Sequence, residues 1–446
     1  MSRALVTDLY ELNMAVSYLR RAMVGPATFS LFVRTLPPRR GFLVAAGLED
    51  CLAFLESFAF ADEDLAWLKR HGFEAGDVEA LAGLRFTGDV HAVPEGRIVL
   101  PGEPILEVTA PIAEAQLVET FLLNQVTFQT TVATKAARCR LAAGDAIELV
   151  DFSLRRTHGV DAGMAVARLS AMAGFVATSN VEAARRYGLP AAGTMAHSYV
   201  EAFPTEADAF RAYAEDRPAH RTFLVDTYDT LDGVRAAIAT IRELGLTRPL
   251  AVRLDSGDLP TLARTTRPLL DEAGLTHVRI LASGGPDEFD LERLRRDRVP
   301  VDAAGVGTKL GVSPNAPSLD SAYKLVAYGD RPVLKLSPGK ATLPGPKQVW
   351  RTFPAITEDV LATRDEPGPR KHDPLLVPVM RGGTRVRPPS TLDAARARLA
   401  RDLEALPHKA LDLHQPVPPP VRVSPRLRDL TARVTREHAP AHAPGT

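Results

Sequence analysis

"TFLVDTYDTLDGVRAAIATIRELGLTRPLAVRLDSGD", residues 222–258, contains two short apolar runs, each ending in a polar cluster, with an amphipathic stretch between them. Short apolar runs bounded by polar or glycine residues read as strands, and the segment between them has the period of a helix. Strand, helix and strand in succession imply parallel strands joined by a right-handed crossover. The same rhythm begins at Ile147, with "IELVDF", "GFVAT" and "PAAGT" before this unit and "VRILAS" and "DAAGVG" after it. Helical stretches such as "DAGMAVARLSAMA", "NVEAARRYG" and "LPTLARTTRPLLDEAG" follow most of these runs. So many units in one stretch predict an α/β fold, an irregular barrel of parallel strands, closed or nearly so. Functional residues of such barrels sit at the carboxyl ends of the strands.

Outward from this repeat the pattern changes. Residues 1–130 mix short strands ("ATFSLFVRTLP", "EGRIVLPGEPILEVTAP") with helices ("AAGLEDCLAFLESF") and are expected to form an N-terminal α+β domain. Residues 114–143 form one long stretch without proline or glycine, expected to be a helix leading into the barrel at 131–324. Residues 325–415 suggest short antiparallel strands with proline turns that rejoin the N-terminal domain. Residues 416–446 are a proline-rich tail, expected to be poorly ordered at its end.

Composition narrows the function classes. The chain has 446 residues, 45% hydrophobic, with 54 Lys plus Arg against 54 Asp plus Glu, so it offers no global attraction to nucleic acid or to an anionic membrane. Any anion site has to be built locally. Cys51 and Cys139 alone are too few for a disulfide framework or a zinc cluster. The first residues carry Asp8 and Glu11 where a signal peptide needs an apolar segment, and no apolar run reaches the length of a membrane span. A cytoplasmic protein is expected.

Seven polar clusters end the successive runs: "DFSLRRTH", "ATSN", "GTMAHS", "VDTYDT", "RLDSGD", "ASGG" and "GVGTK". The glycines of "ASGG" (282–285) and "AGVGTK" (304–309) let backbone N–H groups approach an anion, and late-strand loops are the usual phosphate site of such barrels. Either loop alone is more often a plain turn; the pair, with Thr308 and Lys309, favours phosphate. Arg155 and Arg156 supply planar guanidinium groups, of which an extended backbone would direct only one into the mouth. Asp255, on a strand, can serve sugar hydroxyls or a magnesium ion, whereas Asp258 suits a helix cap. Asp226 can meet His197 across the mouth and orient its ring, and Asp229 suits an N-cap. A lone histidine is usually a satisfied polar group; His197 gains weight from this company.

In this order, "TDLYELNM", "ATKAAR", "DFSLRRTHG", "TSN", "GTMAHS", "DTYDT", "RLDSGD", "GVGTK" and "YKLV" resemble nicotinate phosphoribosyltransferase, from about Thr7 to Arg351. The resemblance implies an N-terminal domain joined to an irregular α/β barrel, and a homodimer whose sites are completed by the partner. The implied reaction joins nicotinate to phosphoribosyl pyrophosphate, giving nicotinate mononucleotide and pyrophosphate, with Mg2+ and coupled hydrolysis of ATP, in NAD salvage. It makes His197 the phosphorylated residue and Asp226 its hydrogen-bonding partner. Phe152 and Tyr10 match stacking positions for the pyridine ring, Tyr10 from the dimer mate; Arg253 and Thr194 match contacts to nicotinate. Arg155, Asp255, Gly307 and Thr308 match positions holding phosphoribosyl pyrophosphate. Ser179 stands where nicotinamide-using relatives carry an aspartate, which would repel a carboxylate that a serine hydroxyl can serve.

The ligands of magnesium do not follow from the sequence. One departure from the family pattern is Gly284, where many members have an acidic or amide residue; a hydrogen bond supplied there would be lost unless water or Asp287 replaced it. Two other readings remain open: a phosphoribosyltransferase for another pyridine ring, and a catalytically silent barrel that binds a nucleotide.

Overall fold

A computed structural model describes residues 3–219, 221–247 and 250–438. It divides into two compact units, one made of Met1–Thr131 with Ser318–Thr446 and the other of Val132–Pro317.

The 132–317 unit contains a six-stranded sheet in the order Ala177–Thr178, Glu148–Asp151, Ala303–Val306, Arg279–Ala282, Ala251–Leu254, Thr222–Leu224. Every pairing is parallel. The last strand in sequence pairs with the first, Val306 beside Asp151, so the sheet curls back toward its own beginning. Thr178 also bridges Ala191 in parallel, and among the described residues no pairing joins Ala191 to Thr222–Leu224. The barrel expected from the strand and helix rhythm is therefore present and irregular, with one seam open. "PAAGT" supplies one bridge instead of a strand: Pro190 has no N–H to donate, and Gly193 has no side chain to pack.

Leu149, Phe223, Val252, Leu254, Ile280, Ala304 and Val306 are buried along these strands, as expected for a sheet covered on both faces. Helix Thr230–Glu243 starts where the Asp229 carboxylate accepts from the N–H groups of Leu231 and Asp232. It lies so close to the preceding strand that a Cβ on Gly233 would stand 2.1 Å from the Val225 carbonyl oxygen. Asp258 occupies the N-cap position of helix Leu259–Glu272, yet its carboxylate takes the Thr261 hydroxyl and no backbone N–H.

The other unit is built on a seven-stranded sheet in which Pro26–Val33 lies between Pro104–Pro111 and Ser321–Tyr328, antiparallel to both. The C-terminal segment thus rejoins the N-terminal domain, beginning at 318 where the sequence suggested 325. A four-stranded sheet accompanies it, with Val421–Val423 parallel to Asp359–Thr363. Ser424 then caps helix Pro425–Glu437. The stretch 416–438 therefore includes a strand and a helix, while the end for which poor order was expected, 439–446, lies outside the described residues. The predicted helix over 114–143 is two helices, Ile112–Leu117 and Glu119–Ala143. Among the described residues no helix is long and apolar enough to cross a membrane.

A buried ionic cluster lies inside this unit. Arg351, wholly buried, donates from Nε to both oxygens of Asp359 at 3.0 and 3.1 Å and from Nη1 to the Ile98 carbonyl at 2.6 Å. Asp402 lies 3.5 Å away and receives Arg97 Nε at 2.7 Å.

Candidate active site

The carboxyl ends of the parallel strands surround a cavity of about 190 Å3. Phe152, Arg155, Arg253, Asp255, Gly307 and Thr308 line it, as the sequence suggested. Arg156, Ser283, Gly284, Gly285 and Gly305 complete the wall. Arg155 and Arg156 both reach it because Leu154–Arg156 is a 3₁₀ turn, which corrects the expectation that an extended backbone would turn one away.

Arg253 is the centre of the polar wall. Its Nε donates to Ser283 Oγ at 2.8 Å, Nη1 to Thr194 Oγ1 at 2.8 Å and Nη2 to Asp255 Oδ1 at 2.6 Å. Ser283 Oγ donates in turn to Asp255 Oδ1 at 2.6 Å. Burial alone would raise the Asp255 pKa, but the Ser283 hydrogen bond and the Arg253 charge outweigh it and hold the carboxyl below the usual carboxylate range. The guanidinium also stands 5.5 Å from the centre of the Phe152 ring. That ring lies close against the neighbouring strand, where a Cβ on Gly305 would meet it at 2.4 Å.

His197 begins the short helix His197–Glu201. Its Nδ1 shares a hydrogen bond with Thr227 Oγ1 at 3.2 Å, and its Nε2 is 3.8 Å from Asp255 Oδ2. Asp226 is not its hydrogen-bonding partner, which corrects the expected pairing. Asp226 Oδ2 instead accepts from the Asp255 N–H at 3.0 Å and Ser256 Oγ at 2.6 Å. Its Oδ1 is buried with no hydrogen-bond partner among the described residues. The hydroxyl of Thr227, the next residue, meets the histidine ring instead.

Asp151 was missed in the sequence. It accepts from the Ser153 N–H at 2.9 Å, Ser153 Oγ at 2.6 Å and Thr178 Oγ1 at 2.7 Å, fixing the turn that carries Phe152. Ser283 and Thr227 were also missed as individuals, although their clusters were not. Ser179 is half-buried, and its backbone N–H donates to the Asp151 carbonyl at 2.8 Å. It does not line the 190 Å3 cavity. Lys309 is held by Asp287 and Asp290 at 3.3 and 3.1 Å and is not among the cavity residues.

Gly284 also reads differently. It has φ +87°, and a Cβ there would lie 2.0 Å from the Asp255 carbonyl oxygen. No side chain fits this backbone, so the position has no hydrogen-bonding group to lose. Asp287 does not substitute, since its carboxylate caps helix Glu288–Arg296 through the N–H groups of Phe289 and Asp290. Tyr10 belongs to the other unit, half exposed on helix Leu9–Arg20.

Three family profiles match the chain: the nicotinate phosphoribosyltransferase N-terminal domain over residues 5–127, the nicotinate phosphoribosyltransferase family over 147–273 and the C-terminal domain over 366–431. Nicotinate phosphoribosyltransferase pncB2 of Mycobacterium tuberculosis is 47% identical over 449 residues, covering 99% of this chain and 96% of its own. The nicotinate phosphoribosyltransferase of Bacillus subtilis is 44% identical over 362 residues, covering 78% of this chain and 73% of its own. The crystal structure of human nicotinic acid phosphoribosyltransferase superposes with a TM-score of 0.85 at 31% identity, covering 96% of this chain and 99% of that one.

Proposed function

The chain belongs to the nicotinate phosphoribosyltransferase family and is a phosphoribosyltransferase of NAD salvage, and from that premise we propose how its residues divide the reaction. Nicotinate takes its place between Phe152 and a Tyr10 from the second copy of a homodimer, its carboxylate toward Arg253 and Thr194. The observation that carries this reading is the three-way hold on Arg253 by Ser283, Thr194 and Asp255, which fixes a guanidinium beside an aromatic face. Phosphoribosyl pyrophosphate lies along Arg155, Arg156, Gly307 and Thr308, with Asp255 toward the ribose.

The pyridine nitrogen of nicotinate already has a free lone pair, so bond formation at ribose C1 with departure of pyrophosphate needs no strong general base. Positioning and charge stabilisation carry the step. Magnesium, when bound, neutralises charge on the departing pyrophosphate. Among the described residues no cluster of three or more His, Cys, Asp or Glu could hold a metal ion. Asp226 Oδ1, buried without a partner among the described residues, would hold such a cation or its water.

His197 is the proposed acceptor of the ATP γ-phosphoryl group, with Thr227 on Nδ1 orienting the ring. Asp226 acts at one remove, positioning Asp255 through its backbone N–H. The added negative charge beside the pyrophosphate site couples ATP hydrolysis to nucleotide formation. The cytoplasm is the proposed compartment, in keeping with two buried free thiols.

The deciding assay supplies nicotinate, phosphoribosyl pyrophosphate and magnesium with and without ATP, following nicotinate mononucleotide and ADP together. Nucleotide that rises with ATP, with ADP released alongside, is expected. Folded protein that forms no nucleotide from nicotinate under either condition would overturn the substrate assignment.

A further inference from the structure

In the unit formed by residues 1–131 and 318–446, a cavity of about 900 Å3 opens beside helix Pro425–Glu437. The helix sends Arg426, Asp429, Leu430, Arg433 and Arg436 to its wall, a spacing that makes one stripe along a helix. Leu427 and Val434, on the adjoining stripe, are fully buried and anchor the helix. Across the cavity stand Thr363, Arg364 and Asp365 at the end of strand Asp359–Thr363, and Asp330 in the turn after strand Ser321–Tyr328. Ala327, Pro332 and Pro346 supply apolar surface.

The polar groups are incompletely matched. Arg426 pairs with Asp365, and Arg364 Nη2 pairs with Glu107. Arg433 and Arg436 have no acidic partner among the described residues. Arg364 Nε is buried with no acceptor among the described residues. A buried donor such as Arg364 Nε is seldom left unmet, and with the exposed Arg433 and Arg436 beside it the wall suits an oxyanion, above all phosphate. Among the described residues Asp330 and Asp429 have no ion-pair partner either, and a bare inorganic anion would meet only repulsion from them. A ligand that brings hydroxyl or amine donors along with its phosphate satisfies both signs at once, and its ring can lie on the apolar surface.

We propose that this cavity is a binding site for a nucleoside phosphate, sharing no residue with the barrel mouth. Phosphate oxygens face Arg364, Arg433 and Arg436; ribose hydroxyls or an exocyclic amine face Asp330 and Asp429. The volume falls within the range of roughly 300–1,000 Å3 usual for small-molecule sites.

Calorimetric titration of the full chain with ADP tests this. Two sites per chain are expected in the unmodified protein. Arg433→Glu with Arg436→Glu should remove one of them or weaken it at least tenfold, and leave transferase activity without ATP unchanged. Both side chains are exposed, so the fold should hold, which a melting curve verifies. Asp330→Asn, a second variant, should weaken ADP at this site while sparing orthophosphate. A single site in the unmodified protein that the double variant retains, identical ADP binding in the double variant, or orthophosphate competing as well as ADP would each overturn the proposal. None of those outcomes touches the assignment of the barrel mouth.

Discussion

Two groups of arginine and carboxylate in this chain have similar ingredients and different character. Around Arg351 every guanidinium nitrogen points to an acceptor, Asp359, Asp402 and the Ile98 carbonyl, and all the side chains are buried. Around Arg253 the hydrogen bonds are as short, yet the group borders a cavity, and His197 Nε2 stops 3.8 Å from Asp255. Arginine and aspartate side by side therefore do not mark a site. A pair that borders open space does, because a ligand can reach it.

The sharpest way to break this contrast is to exchange the measurements. Arg351→Met removes one partner of a buried pair and should cost about 3–5 kcal/mol of stability, read as a fall in urea midpoint. Arg253→Ala should leave that midpoint nearly unchanged while lowering kcat/KM roughly 100- to 1,000-fold. If both variants lose stability equally, the mouth is a structural cluster like the other. Gly284→Ala places a Cβ 2.0 Å from a backbone oxygen at φ +87°, so the loop must move. It should cost about 1–3 kcal/mol in strain, with activity falling alongside stability; unaltered kinetics would show that the loop plays no part in the mouth.

Glu288 sharpens the comparison inside the barrel unit. Burial would raise its pKa, but Lys135 overrides this and holds it at about 2, below its ordinary 4.5. A depressed folded-state value contributes stability that is complete above pH 4.5 and is lost as pH falls toward about 2. Glu288→Gln should flatten the dependence of the urea midpoint on pH across that window. His197→Ala should abolish ATP-dependent ADP release and leave slow basal transfer, with stability unchanged. The smallest expected effect is that of Ser179→Asp, a shift in preference toward nicotinamide on the order of tenfold in the ratio of kcat/KM values.

Much of the fold was legible in the sequence, and the limits have physical causes. Parallel strands covered on both faces leave continuous apolar runs, so the barrel and the polar ends of its strands could be read directly. What could not be read was which neighbour within a cluster faces inward. Thr227 rather than Asp226 reaches the histidine ring, and both Arg155 and Arg156 enter because a 3₁₀ turn replaces an extended segment. Lys309 looked free for phosphate only because Asp287 and Asp290, about twenty residues earlier, are its partners through the fold. The open seam beside Ala191 likewise depends on pairing geometry, to which a short apolar run is blind.

The two-part construction of the sheet that contains Pro26–Val33 has a consequence for how the protein is made. Its edge must wait for Ser321–Tyr328, whose last partner is Ser321 opposite Val33, about 290 residues later. At translation rates of roughly 5–20 residues per second, the ribosome leaves that strand without its neighbour for about 15–60 seconds. The entire barrel emerges in the meantime. Biogenesis thus imposes an order in which the second unit to begin can be the first to finish, and nascent chains are exposed to aggregation through one waiting edge.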